Sequence, residues 1–564
     1  MIRPRARSAA VARAAAPALL AAALGSACAS GNVRPWEYSP TPLADTLAIA
    51  EPAEVAPTVV YEQIAYAMLL PLSIGSGGPA WNADPFDEVV NSTWFTNRNA
   101  TSPMTPEEIA RGAHQSDGPD QSGPAQVTSM KSEGVNVGFF LRDASGARWL
   151  VKFDPPQYPE MASGADVLAT NLVWSAGYHA PENYVFYLDP TNLTLREGVE
   201  LDMIEDGQVV EYEVGANEPD ERELTMDVFL RFIERYPRDS QGRIRTLASK
   251  FLPGIPKGPF GWKGTRPDDP NDVIPHENRR ELRGYYVVAS WLNQVDTKEG
   301  NTLDMFRPHA GSPEEGARYG HLVHYMLDNG ASIGSGGVHP HRPRHGSEND
   351  LDMRAISLRL ISLGAYERPW QDIEDTGHPE SIGWFASEGF QPGQWRPSIP
   401  NPTFDAVDDR DGYWGAKLVM SFTDEQLAGA MEATEWSDPA ARSYILTGLK
   451  ERRDAIGRYW FARVSPLDDP RVEGGTIVFD DLWAEHFGGA ARYRYDFDGA
   501  EAAGEGIADA ARVPLPSGLA AGDGGRVRVR IWRSRAEGDG WAPRPATMWL
   551  VQSGGAWRVS GVRY

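Results

Sequence analysis

The sequence predicts an α+β protein in which a two-lobed domain is followed by a small β-rich module. Three observations lead there. Strand-like segments around a hairpin, then a helical stripe and another strand, occupy residues 126–188. Helical patterns dominate from Leu224 to Val464, and Gly-rich turns between strand-like runs take over from Pro466. The chain of 564 residues has interior enough for two to four domains, and its 18 Trp, 20 Tyr and 19 Phe belong to a folded protein.

Residues 1–29 read as an export signal. Arg3, Arg5, Arg7 and Arg13 precede an apolar run from Ala14 to Leu24 that is too short to span a bilayer. Cys28, the single cysteine, follows Leu24-Gly25-Ser26-Ala27, which resembles a bacterial lipobox with its leucine one position early. Ala27-Cys28-Ala29 also fits an ordinary small-x-small cleavage site. The expectation is a lipoprotein of the bacterial cell envelope, exported and held to the membrane only through a lipid at Cys28. No structural disulfide can form. The net charge is −24 and becomes −28 without the first 28 residues, which argues against nucleic acid and anionic membrane surfaces as partners.

Residues 30–58, rich in Pro, Ala and Glu, read as a tether, and Tyr61 to Leu70 as a helix stopped by Pro71. The stretch 97–125 reads as irregular surface. Val135 to Leu141 and Arg148 to Phe153 flank Asp143-Ala144-Ser145-Gly146, a hairpin signal. Asp166 to Ala176 carries a helical stripe, and Tyr184 to Leu188 a strand. On this reading residues 59–222 form an N-terminal extension and the smaller lobe, 223–465 the larger lobe, and 466–564 the β-rich module. A helix from Leu282 to Asn293, a helix over 351–363, a capping box opening at Thr423 and a long helix from Asp438 complete the larger lobe.

The chemistry is concentrated in Trp291 to Gly330. Asp296 is followed five residues later by Asn301, and an apolar segment then ends in Asp328-Asn329-Gly330. Phosphoryl transfer needs a carboxylate to orient the acceptor hydroxyl and oxygen ligands for Mg²⁺. Asp296 suits the first task, Asn301 and Asp328 the second. An Asp and an Asn five apart also arise by chance in an acidic chain. Other parts stand in the right order, however. Lys152 lies in a strand, where its ammonium can meet the α- and β-phosphates of ATP. Asp166, 14 residues on, can pair with it. Gly134 and Gly138 bracket the preceding turn and leave room for backbone N–H groups to approach phosphate.

Together these residues resemble the atypical bacterial kinase-like families, such as the HipA-type and CotH-type kinases, over roughly 126–464. The resemblance implies a protein-kinase-like fold using ATP and Mg²⁺, with Lys152 as the phosphate-binding lysine, Asp166 its acidic partner, Asp296 the catalytic base, and Asn301 and Asp328 the metal ligands. The acceptor, protein or small molecule, is not legible. Three departures from the kinase pattern stand out. Asp166 replaces a longer Glu. Gln294-Val295 replace His-Arg, which removes a structural support. Asn329 replaces the Phe of Asp-Phe-Gly. Little ATP is available outside the cytoplasm, so a catalytically idle kinase-like scaffold is the second reading. Gly330-Ala331-Ser332-Ile333-Gly334 satisfies a hydrolase pattern but lacks the helix that must follow it. His339, His341 and His345 read as a loop, with Zn²⁺ a minor alternative.

Overall fold

Alternation along the strands builds the first lobe. In a strand, successive side chains point to opposite faces. Strand β1 (Ala125–Met130), β2 (Gly138–Arg142) and β3 (Arg148–Phe153) therefore bury Val127, Phe139, Leu141, Trp149, Val151 and Phe153 together. Leu150 and Lys152 point to the other face. The hairpin between β2 and β3 closes as its sequence requires: Asp143 accepts hydrogen bonds from Ser145 and Ala147, and Gly146 takes φ 88°. Helix α1 (Met161–Ala176), β4 (Asn183–Leu188), β5 (Leu193–Leu195), α2 (Met226–Ile233) and β6 (Ile244–Lys250) complete this lobe. The sheet order is β4-β6-β3-β2-β1-β5, antiparallel except for the β1–β5 pair. Phe229 and Ile233 of α2 cover its apolar face.

The computed structural model describes residues 45–58, 66, 68, 78–131, 136–199, 203–205, 208–210, 224–312, 318–373, 377–498, 505–519, 525–536 and 538–564. Most of 61–70, and Gly134, lie outside these. Two expectations need correction. Helix α2 and strand β6 belong to the first lobe, because β6 pairs with both β3 and β4 and lies between them in the sheet, so the lobe extends to about Lys250 and not to residue 222. The stretch 97–125 is not wholly irregular. Thr105 and Glu108 form a reciprocal cap on a short helix, Pro106–Arg111.

The second lobe is built around α3 (Arg280–Leu292), every residue of which is buried. Its polar positions are matched by acids from elsewhere. Arg280 lies 3.0 Å from Asp87 and 2.8 Å from Asp411, and Arg283 lies 3.0 Å from Asp411. The hairpin of β7 (Thr302–Pro308) and β8 (Tyr319–Met326) follows, then α4 (Met353–Ile361), α5 (Asp409–Met420), α6 (Asp424–Glu432) and α7 (Pro439–Phe461). From Leu467 the chain is β-rich, in a three-stranded and a five-stranded sheet. Its buried side chains, among them Val527, Val529 and Met548, join one continuous core with the helices of the second lobe. Among the described residues, no helix is long and apolar enough to cross a membrane.

Candidate active site

A cleft of about 640 Å³ opens between the lobes, and both lobes contribute to it. Lys131, Leu150 and Lys152 line it from the sheet; Asn301, Leu303, Met305, Leu327 and Asp328 line it from below; Phe251 and Leu252 lie in the connection between them. Lys152 is fixed by strand register, opposite Gly138 on one side and Leu247 on the other. A Cβ at residue 138 would stand 2.4 Å from the Val151 carbonyl oxygen, so only glycine fits there.

Lys152 Nζ lies 2.9 Å from Asp328 Oδ1 and 3.9 Å from Asp166 Oδ2. The lysine side chain is 10% exposed, Asp166 2% and Asp328 49%. The ammonium is therefore shared by a buried and a half-open carboxylate, with the closer contact to the open one. Burial by itself would lower the Lys152 pKa; Asp328, Asp166 and Asp296 outweigh it and hold the pKa raised. Partial burial pushes Asp328 up, yet Lys152, Lys298 and Lys131 leave it lowered and ionised. For Asp166 burial prevails over Lys152 and raises the carboxyl to about 6.

Asp296 and Asn301 arrive on the loop after α3. Asn293, in the left-handed conformation at φ 51°, ends the helix and turns the chain. Arg452 secures that end by donating to the carbonyls of Ser290 and Trp291 at 2.5 and 2.9 Å. Lys298 Nζ bonds Asp296 Oδ2 at 2.7 Å, and Asn301 Nδ2 donates to the Asp296 carbonyl at 2.7 Å. The Leu327 N–H donates to the Asn301 carbonyl at 2.8 Å, which ties this loop to the Asp328 segment.

Of the predicted site residues, Lys152, Asn301 and Asp328 line one cleft. Asp166 is buried behind Lys152, and Asp296 does not line the cleft but lies near enough to act on the Lys152 charge. Several contributors escaped sequence reasoning. Lys298 stands two residues after Asp296, a spacing that signals it. Gln294 is another: its Nε2 donates to the Asp328 carbonyl at 2.9 Å, so this position does support the Asp328 segment. Thr170 and Asn183 donate to Asp166 Oδ1 at 3.0 and 2.8 Å. These bonds hold the short Asp in place. Thr170 follows Asp166 by one helical turn, which was readable; Asn183, on a separate strand, was not.

The other readings find little support. Ser332 is buried and donates its hydroxyl to the Asn329 carbonyl at 2.5 Å, and no helix follows it. His341 and His345 stack on one another at 4.8 Å. Among the described residues, no group of three His, Cys, Asp or Glu side chains could hold a metal ion. Mg²⁺ in phosphoryl-transfer sites needs fewer protein ligands, because substrate phosphates complete its shell.

No protein-family model and no curated protein matches the chain. Among solved structures the chain is similar to the Helicobacter pylori proinflammatory kinase CtkA, at 11% identity and a TM-score of 0.30, over 59% of this chain and 92% of that one. A likeness this distant says nothing about the chemistry of the site.

Proposed function

We propose that the cleft binds ATP with Mg²⁺ and transfers a phosphoryl group to an acceptor hydroxyl. One observation carries the reading. A buried lysine from the sheet meets Asp328 of the helical lobe at 2.9 Å, in a cleft also lined by Asn301. The donor set fits the ligands. An amide oxygen and an ionised carboxylate are the hard oxygens Mg²⁺ takes, and the ammonium matches phosphate charge. Leu150, Phe251, Leu303 and Met305 give apolar walls for a flat base. Bound Mg-ATP would supply the phosphoryl group and its electrostatic activation. Asp296 would orient the acceptor hydroxyl and receive its proton, and Lys298 would offset the charge beside it.

The idle-scaffold reading draws on the same contact, because Lys152 engages the carboxylate meant for the metal. Labelled ATP separates the two. Incubation with Mg²⁺ should label an acceptor or the protein itself, and Asp328→Ala should abolish the label. Mg-ATP should also raise the melting temperature of the native protein. Stabilisation without any transfer would favour the scaffold; neither effect would end both readings.

A further inference from the structure

Helix α4 presents its apolar side chains outward. Leu360, Ile361 and Leu363 are 75%, 79% and 95% exposed, Ile356 and Leu358 are also exposed, and within the helix only Ala355 is buried. At roughly 100° per residue, the side opposite Ala355 carries Met353, Ser357, Leu360 and Ile361, with Ile356 at one edge and Arg354 at the other. Arg359, also exposed, stands about 40° round from Ala355, on the side nearer the protein body. A surface helix of a water-facing protein has the reverse arrangement, with its apolar stripe turned inward.

Charge indicates what covers this face. The chain carries 78 acidic residues, yet none falls between Asp352 and Glu367, where Arg354 and Arg359 are the only charges. Neither arginine has an ion-pair partner among the described residues. Asp352 caps the helix by accepting from the Ala355 N–H at 2.8 Å, and the neighbouring Asp350 pairs with Arg344. Leu363 and Gly364, both at positive φ, then end it. The result is a short, capped helix of outward aliphatic side chains with two arginines and, between Met353 and Ile361, no acid.

We infer that α4 is a membrane-contact element that lies in the headgroup layer of an anionic phospholipid surface. Leucine and isoleucine side chains enter the acyl boundary while arginine guanidinium groups reach lipid phosphates, as interfacial helices do. The net charge of −24 opposes such a surface at long range. Screening confines that opposition to about 8 Å at physiological ionic strength, so the local acid-free stretch decides the contact. A protein groove would cover one side of the helix; here aliphatic side chains project around most of its circumference, which suits a deformable lipid layer. This inference is independent of the phosphotransfer reading.

The test uses the chain from Ala29 onward, which keeps every described residue and removes both the apolar leader and Cys28. Sedimentation with vesicles of equal phosphatidylglycerol and phosphatidylcholine is compared with sedimentation with phosphatidylcholine alone. The protein should pellet with the anionic vesicles and much less with the neutral ones. Replacing Leu360, Ile361 and Leu363 together by Glu should weaken the anionic partition at least tenfold, and replacing Arg354 and Arg359 by Ala several-fold. Thermal melts confirm that each variant is folded. Absence of pelleting, or equal pelleting of all three proteins, would overturn the inference. So would a dimer, seen by light scattering without lipid, that the triple replacement dissolves, because a second copy would then be the occupant.

Discussion

Asn329 Nδ2 donates to Thr170 Oγ1 at 3.0 Å, and that hydroxyl donates to Asp166 Oδ1 at 3.0 Å. The residue after Asp328 is thus joined by hydrogen bonds to the buried carboxylate beside Lys152. Both Asn329 and Thr170 are fully buried, so the link runs through a region without competing water. Where the kinase pattern has an apolar phenylalanine, this chain has a polar tie between the Asp328 segment and helix α1.

Thr170→Val keeps the shape of that residue and removes the hydroxyl. It leaves the Asn329 amide without its acceptor at a cost of about 1–3 kcal/mol. Chemical denaturation should show that loss. Asn329→Ala in the same background should then add less than it does alone, because the two share one bond. Strict additivity would count against the tie.

Lys152→Met should remove stabilisation by Mg-ATP and lower phosphoryl transfer by roughly 10²–10³-fold, the scale of losing one preorganised charge at a reacting group. The measurement is initial-rate kinetics alongside thermal melts with and without nucleotide. Unchanged transfer would remove Lys152 from the site.

Asp166 gives a pH dependence of defined sign. Its folded pKa of about 6 exceeds the usual carboxylate value of about 4. Between those values the folded protein keeps a proton that the unfolded chain has released. The contribution of this group to stability is therefore present below pH about 4 and is lost as pH rises through about 6. Asp166→Asn removes that dependence. The melting temperature of the native protein minus that of the variant should fall from pH 4 to pH 7; a difference that stays flat would contradict the shift.

Asp411 joins α5 to α3 through Arg280 and Arg283, all three side chains being buried. Asp411→Ala leaves two buried guanidinium groups with less opposing charge and should cost about 3–5 kcal/mol in urea unfolding, with the midpoint displaced accordingly. A loss under about 1 kcal/mol, within the range of an exposed pair, would show that the pair is not desolvated in solution.

The sequence by itself determined what rests on neighbours along the chain. Period-two alternation around Asp143-Ala144-Ser145-Gly146 specified the β2–β3 hairpin, and the box at Thr423 specified the start of α6. Tertiary structure alone decided the rest. Strand β6 entered the first sheet between β3 and β4 because its pairing partners lie more than 50 residues away, where no local pattern can indicate them. Lys152 chose Asp328 over Asp166 because distance across a folded cleft, not spacing in the chain, sets the strength of a charge pair. Helix α4 was legible as a helix, but periodicity gives the direction of an apolar stripe only relative to the helix axis. Which way that stripe faces depends on what the rest of the chain packs beside it.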